Sequence, residues 1–174
     1  MNKDTSSTFT DKLNLETKNS HTQVDKHDFV SLIRTDKIAG NFYINFNKIC
    51  IHEIQNVLVL SDNDLRSRLY RDINIDEIYI SPTLLELINH CKMYPLESAY
   101  QFYLGLLFGG NMLKRMLPEH NEFLTYENNK QLITDFKEYL NNNVINQDLF
   151  IERVNKCYKL IKQLFDEYHK KFKI

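Results

Sequence analysis

The stretch YLGLLFGGNML, Tyr103 to Leu113, decides how this chain is read. It is apolar with a helical period, yet it holds Gly105, Gly109 and Gly110, three of the four glycines in the sequence. A glycine inside a helix costs about 1 kcal/mol relative to alanine, because the unfolded chain is freer and no side chain packs. Glycines this closely spaced need a reason. Either the helix bends there, or something approaches its backbone more closely than a Cβ allows.

The flanking sequence predicts mostly helix. Glycine and proline are scarce, and apolar residues recur at spacings of three and four. Thr10 is expected to cap a first helix running through Leu13, Leu15, His21 and Val24. HDFVSLIR continues its pattern, and Thr35 or Asp36 restarts it. Phe42, Phe46, Ile49, Ile54 and Leu58 mark a second long helix. Ser61 caps a third, DNDLRSRLYRDI, after which INIDEIYIS fits a loop better than a strand. Ser81 with Pro82 in the first turn starts the next helix, and Pro95 starts the one that carries the glycines. Another begins at Thr125 or Glu127 and fades at Asn141–Asn143. The last spans Gln147 to Phe172, with Phe150, Val154, Tyr158, Ile161 and Phe165 on one face. The expectation is an all-α fold with one helical domain over residues 10–174, after a disordered N-terminus of residues 1–9.

Composition removes several function classes. The net charge is -1 and basic residues are mixed with acidic ones, so no nucleic-acid partner is expected. No apolar run reaches the ~20 residues of a membrane span, and MNKDTSSTFTDK lacks the apolar core of a signal peptide. Cys50, Cys91 and Cys157 lie far apart in sequence without metal-ligand spacing, and read as reduced thiols of a cytoplasmic protein. There is no glycine-rich phosphate loop after a strand, no nucleophile elbow and no paired-cysteine zinc motif. A cofactor site in the bundle, or a protein-interaction role, is what such a chain can carry.

LETKNSHTQVDKHDF, Leu15 to Phe29, resembles the proximal helix of heme oxygenases: a Thr-Lys pair, then His-Thr-Gln, an acidic residue and a phenylalanine. That family's distal helix reads Tyr-Leu-Gly, three residues, then Gly-Gly, as do Tyr103-Leu104-Gly105 and Gly109-Gly110 here. Weaker similarity continues through DLRSRLYRDI, NKQLI and IKQLFDEY, so the likeness covers most of the chain in order. The resemblance implies a heme oxygenase-like helical bundle with heme b, both cofactor and substrate, between the first helix and the glycine helix. It implies cleavage of heme by oxygen to biliverdin, carbon monoxide and iron, with a reductase or ferredoxin-type electron donor as partner. His21 would be the iron ligand through a neutral imidazole nitrogen. Asp25, four residues on and on the same helix face, could accept the other ring N–H. Gly105, Gly109 and Gly110 would let the distal backbone pass over the heme face. Lys18 and Lys130 are expected near the propionates. Asn111 stands where the family commonly has glutamine.

Four positions depart from the family pattern. Leu106 replaces an aspartate in one branch and a hydroxyl residue in a bacterial one. Phe102 stands for an arginine, Ile54 for a tyrosine and Phe136 for a basic residue. Heme oxygenation needs a proton delivered through ordered water, which polar side chains hold. Tyr100 and Asn111 are candidates to compensate. Other readings stay open: a heme carrier or sensor that has lost the polar network, an interaction scaffold without heme, and a di-iron protein. The last needs several inward Glu and His residues, and IHEI offers only the adjacent His52 and Glu53.

Overall fold

The computed structural model describes residues 8–25, 37–58, 81–116 and 128–172. Over these residues the protein is an all-helical bundle: α1 (Phe9–Asp25), α2 (Lys37–Glu53), the short α3 (Gln55–Leu58), α4 (Pro82–Met93), α5 (Pro95–Met116), α6 (Asn129–Asn143) and α7 (Gln147–Phe172). Among the described residues there is no strand, and no helix is long and apolar enough to cross a membrane. The expected continuation HDFVSLIR, the helix capped by Ser61 and the INIDEIYIS loop lie outside the described residues, apart from Ser81.

The first helix begins earlier than the sequence suggests. Thr8 is its cap, not Thr10. Asp11 N–H donates to Thr8 Oγ1 and Thr8 N–H donates to Asp11 Oδ2, each at 3.2 Å, a reciprocal capping box. Thr10 is buried two residues further in, and its N–H donates to Asn141 Oδ1 on α6 at 2.9 Å. Phe9 packs edge-on against Phe150 of α7, with ring centres 5.4 Å apart. The folded region therefore includes Thr8 and Phe9, which the sequence had left in the disordered arm. Leu15, expected on the apolar stripe, is 72% exposed. Two residues from Leu13, it points away from the face that Leu13 buries.

The later helices follow their sequence signals. Ser81 Oγ accepts from Leu84 N–H at 3.1 Å and Pro82 occupies the first turn of α4. The helix α6 begins at Asn129, after both suggested starts. The last helix, α7, is the spine of the bundle. Phe150, Val154, Tyr158, Ile161 and Phe165 are all buried along it, and α1, α4 and α5 lie against it. Near its C-terminal end Phe42 of α2 stacks on Tyr168 at 4.2 Å and Phe46 meets Phe165 edge-on at 5.4 Å. Burying each such side chain contributes about 1.5–3 kcal/mol.

The cysteines, distant in sequence, converge in this core. Cys50 on α2, Cys91 on α4 and Cys157 on α7 are free and fully buried, with the Cys50 thiol beside Cys91. Burial pushes the Cys50 and Cys157 thiols well up, so thiolate is scarce there at neutral pH. Native protein should accordingly resist an aromatic disulfide reagent for many minutes near neutral pH, and all the thiols should react in urea. Rapid stoichiometric labelling of native protein would contradict this packing.

Candidate functional site

On α1 the core stripe is Leu13, Thr17 and Val24, all buried. Thr17 Oγ1 donates back to the Leu13 carbonyl at 2.8 Å, so its hydroxyl is satisfied inside the bundle. His21 lies one turn beyond Thr17 and three residues before Val24, on the flank of the same stripe, yet it is exposed. Its imidazole packs edge-on against the buried Tyr158 of α7, with ring centres 5.6 Å apart at 69°.

The glycine helix answers the opening question. Through all three glycines α5 runs unbroken from Pro95 to Met116, so they do not end it. Gly105 is exposed and Gly109 half-buried, one turn apart on the same face. Among the described residues a Cβ built on either would meet nothing within 4 Å, and neither has a left-handed backbone. Internal packing and local conformation therefore demand glycine at neither position. Gly110 differs. It is buried, turned about 100° around the helix from Gly109. The expectation that all three glycines face the same ligand thus divides: Gly105 and Gly109 front open space, and Gly110 faces the protein interior.

Both helices lie along α7 in the same sense. Phe9 meets Phe150, the Glu16 carbonyl accepts from Asn155 at 3.4 Å, and His21 meets Tyr158. At the start of α5, the Arg153 guanidinium sits 4.1 Å over the Tyr94 ring and 3.3 Å from Glu97, and Ser98 lies against Cys157. Yet α1 and α5 share no broad interface among the described residues. The Tyr100 hydroxyl on α5 comes near Thr17 on α1; burial pushes the Tyr100 phenol up, and Thr17 pulls it partly back. One turn beyond this pair stand His21 on α1 and Leu104 on α5, with Gly105 next. Two helices laid on a common support without a broad interface among the described residues can admit a flat ligand.

The remaining candidates are less converged. Lys18 and Lys130 are exposed. Lys18 lines a shallow outer groove of about 750 Å³ with Asp11, Asn14 and Leu15, away from the core stripe. Asp25 ends α1 and Asn111 lies within α5; their side chains are outside the described residues. His52 and Glu53 are half-buried at the end of α2. Among the described residues no group of three or more His, Cys, Asp or Glu could hold a metal ion.

Three neighbours were not singled out from sequence. Phe108 is 64% exposed beside Gly105 and Gly109, and Lys137 Nζ stands 5.5 Å from its ring centre. Phe136, next to Lys137, is buried edge-on against Tyr103 at 5.5 Å. The alternation was legible, since adjacent helix positions point apart; the ring beneath Lys137 was not. His90 is the third. It is buried, burial pulls its imidazole below the usual range, and its neutral Nε2–H donates to the Arg153 carbonyl at 2.9 Å. It lines a cleft of about 1010 Å³ between α1, α4 and α7, with Ser20, Gln23, Tyr94 and Tyr158, which excludes His21 and the glycines.

The positions that depart from the heme oxygenase pattern share one environment. Ile54, Phe102, Leu106 and Phe136 are all buried members of the apolar core. Leu106→Asp would therefore place a carboxylate in apolar packing. It is expected to cost about 3 kcal/mol or more at neutral pH. The loss should shrink on acidification, because a desolvated carboxyl has a raised pKa in the folded state and is relieved as it takes up its proton. Urea unfolding at several pH values measures this; an unchanged stability at neutral pH would show that the side chain reaches water. No protein-family model matches this chain, and none of the curated proteins matches it either.

Proposed function

We propose that this protein binds heme between α1 and α5, with His21 as the protein ligand to iron, and cleaves it with oxygen to biliverdin, carbon monoxide and iron. The observation that carries the reading is the pair Gly105 and Gly109. Each costs the helix about 1 kcal/mol, and among the described residues neither is required by a neighbour or by its backbone conformation. A ligand that lies flat against the helix backbone supplies the missing reason. The exposed His21 imidazole, one turn past the Tyr100–Thr17 pair, supports the same ligand from the other helix. These residues suit heme: one imidazole for iron, a backbone face without side chains, the exposed Phe108 for apolar ring surface, and the exposed Lys130 on α6 for a carboxylate.

When bound, heme would supply the iron at which oxygen reacts and the ring carbon that is attacked. The chain's own tasks are then specific. His21 binds through one ring nitrogen. Gly105 and Gly109 keep side chains off the opposite face. Buried Leu104, Leu106 and Leu107 keep bulk water from the inner side of α5. Electrons come from an external reductase or ferredoxin-type donor.

A second reading is a heme carrier or sensor. The apolar burial of Ile54, Phe102, Leu106 and Phe136 favours it, because side chains that would hold a proton-relaying water network are replaced by packed core. Hemin-loaded protein given a reductant and oxygen separates the two. Conversion to biliverdin supports the oxygenase; reducible, stable heme with no product supports the carrier; no heme complex at all defeats both.

A further inference from the structure

We infer that Tyr158 is a positioning residue for His21, fixing the imidazole before any ligand arrives. The inference rests on the proposed role of His21 as iron ligand. An exposed histidine on a helix ordinarily samples several rotamers, and ordering it on ligation costs conformational entropy. Here one edge of the ring is set against a wall, the Tyr158 ring, 5.6 Å away and tilted by 69°. That wall cannot drift. Tyr158 is 4% exposed on the core stripe of α7, between the buried Val154 and Ile161. The Asn155 side chain, on the same helix, also donates to the Glu16 carbonyl of α1, fixing the two helices together one turn before His21. Tyr158 also lines the cleft between α1, α4 and α7. The imidazole is thus held by a ring that is itself fixed in the core.

The expected effect follows from the geometry. An edge-on aromatic contact of this kind corresponds to about a two- to tenfold change in an equilibrium. Tyr158→Leu removes the ring and keeps an apolar side chain; Tyr158→Phe keeps the ring and removes only the hydroxyl. In the heme-free protein, nuclear Overhauser contacts between the His21 and Tyr158 rings are expected. The His21 ring protons should shift on Tyr158→Leu and move little on Tyr158→Phe. With hemin, Tyr158→Leu should weaken binding by about two- to tenfold and broaden the iron–histidine stretching band, and Tyr158→Phe should restore both. Absence of the ring contacts in heme-free wild type overturns the inference whether or not a variant folds. A histidine-ligated wild-type complex whose affinity and band are unchanged in Tyr158→Leu overturns it alone. A wild type that forms no histidine-ligated heme complex overturns it together with the proposed function.

Discussion

Replacing His21 with alanine is expected to abolish histidine-ligated heme while leaving the helical bundle intact. His21 is exposed and packs edge-on against Tyr158, and losing that contact should cost about 0.5–1.5 kcal/mol of stability. The loss in heme affinity should be far larger. Removing a group that merely supports a metal ligand costs about 10- to 100-fold, and removing the ligand itself should exceed that. Hemin titration followed in the Soret region, with circular dichroism on the same samples, makes the comparison. Retention of the wild-type ligation signature in His21→Ala would mean that iron is held elsewhere or not by the protein.

The glycines give the second large effect, and its sign is unusual. Gly109→Ala should stabilise the heme-free protein by about 1 kcal/mol, since the new methyl meets nothing among the described residues and alanine is the better helix former. In a chain of this size that is a rise of roughly 2–4 °C in Tm. The same substitution should weaken heme binding, and Gly109→Leu should nearly prevent it while the fold remains stable. Gly110→Leu should do the reverse. Gly110 is buried, so a large side chain there overpacks the core and costs about 1–3 kcal/mol. Thermal melts and hemin titrations of the three variants test the separation. If Gly109→Ala destabilises the heme-free chain, the open space beside it is an illusion and the glycine serves packing.

Much of the bundle was legible because its signals are local. The Ser81-Pro82 start, the Pro95 start and the apolar stripe of α7 depend on caps and period alone. The start of α1 was misread because Thr8 and Thr10 are both good caps, and only the placement of Phe9 against Phe150 decides between them. Leu15 was misplaced by counting apolar residues without their phase. For the site, spacing alone could put Gly105 and Gly109 on one face and His21 on the flank of a core stripe. It could not reveal that the space beside the glycines is open or that Gly110 is enclosed, because both depend on what other helices bring near. The meeting of Cys50, Cys91 and Cys157 was invisible for the same reason. The apolar replacements at Ile54, Phe102, Leu106 and Phe136 were visible singly, and their common burial was not.

Titration of the wild-type chain with hemin, followed by reduction and resonance Raman spectroscopy, tests the central claim most directly. The account predicts a saturable one-to-one complex whose reduced form shows an iron–histidine stretching band. Weak, unsaturable absorbance changes like those of hemin on an unrelated protein, with no such band, would contradict it.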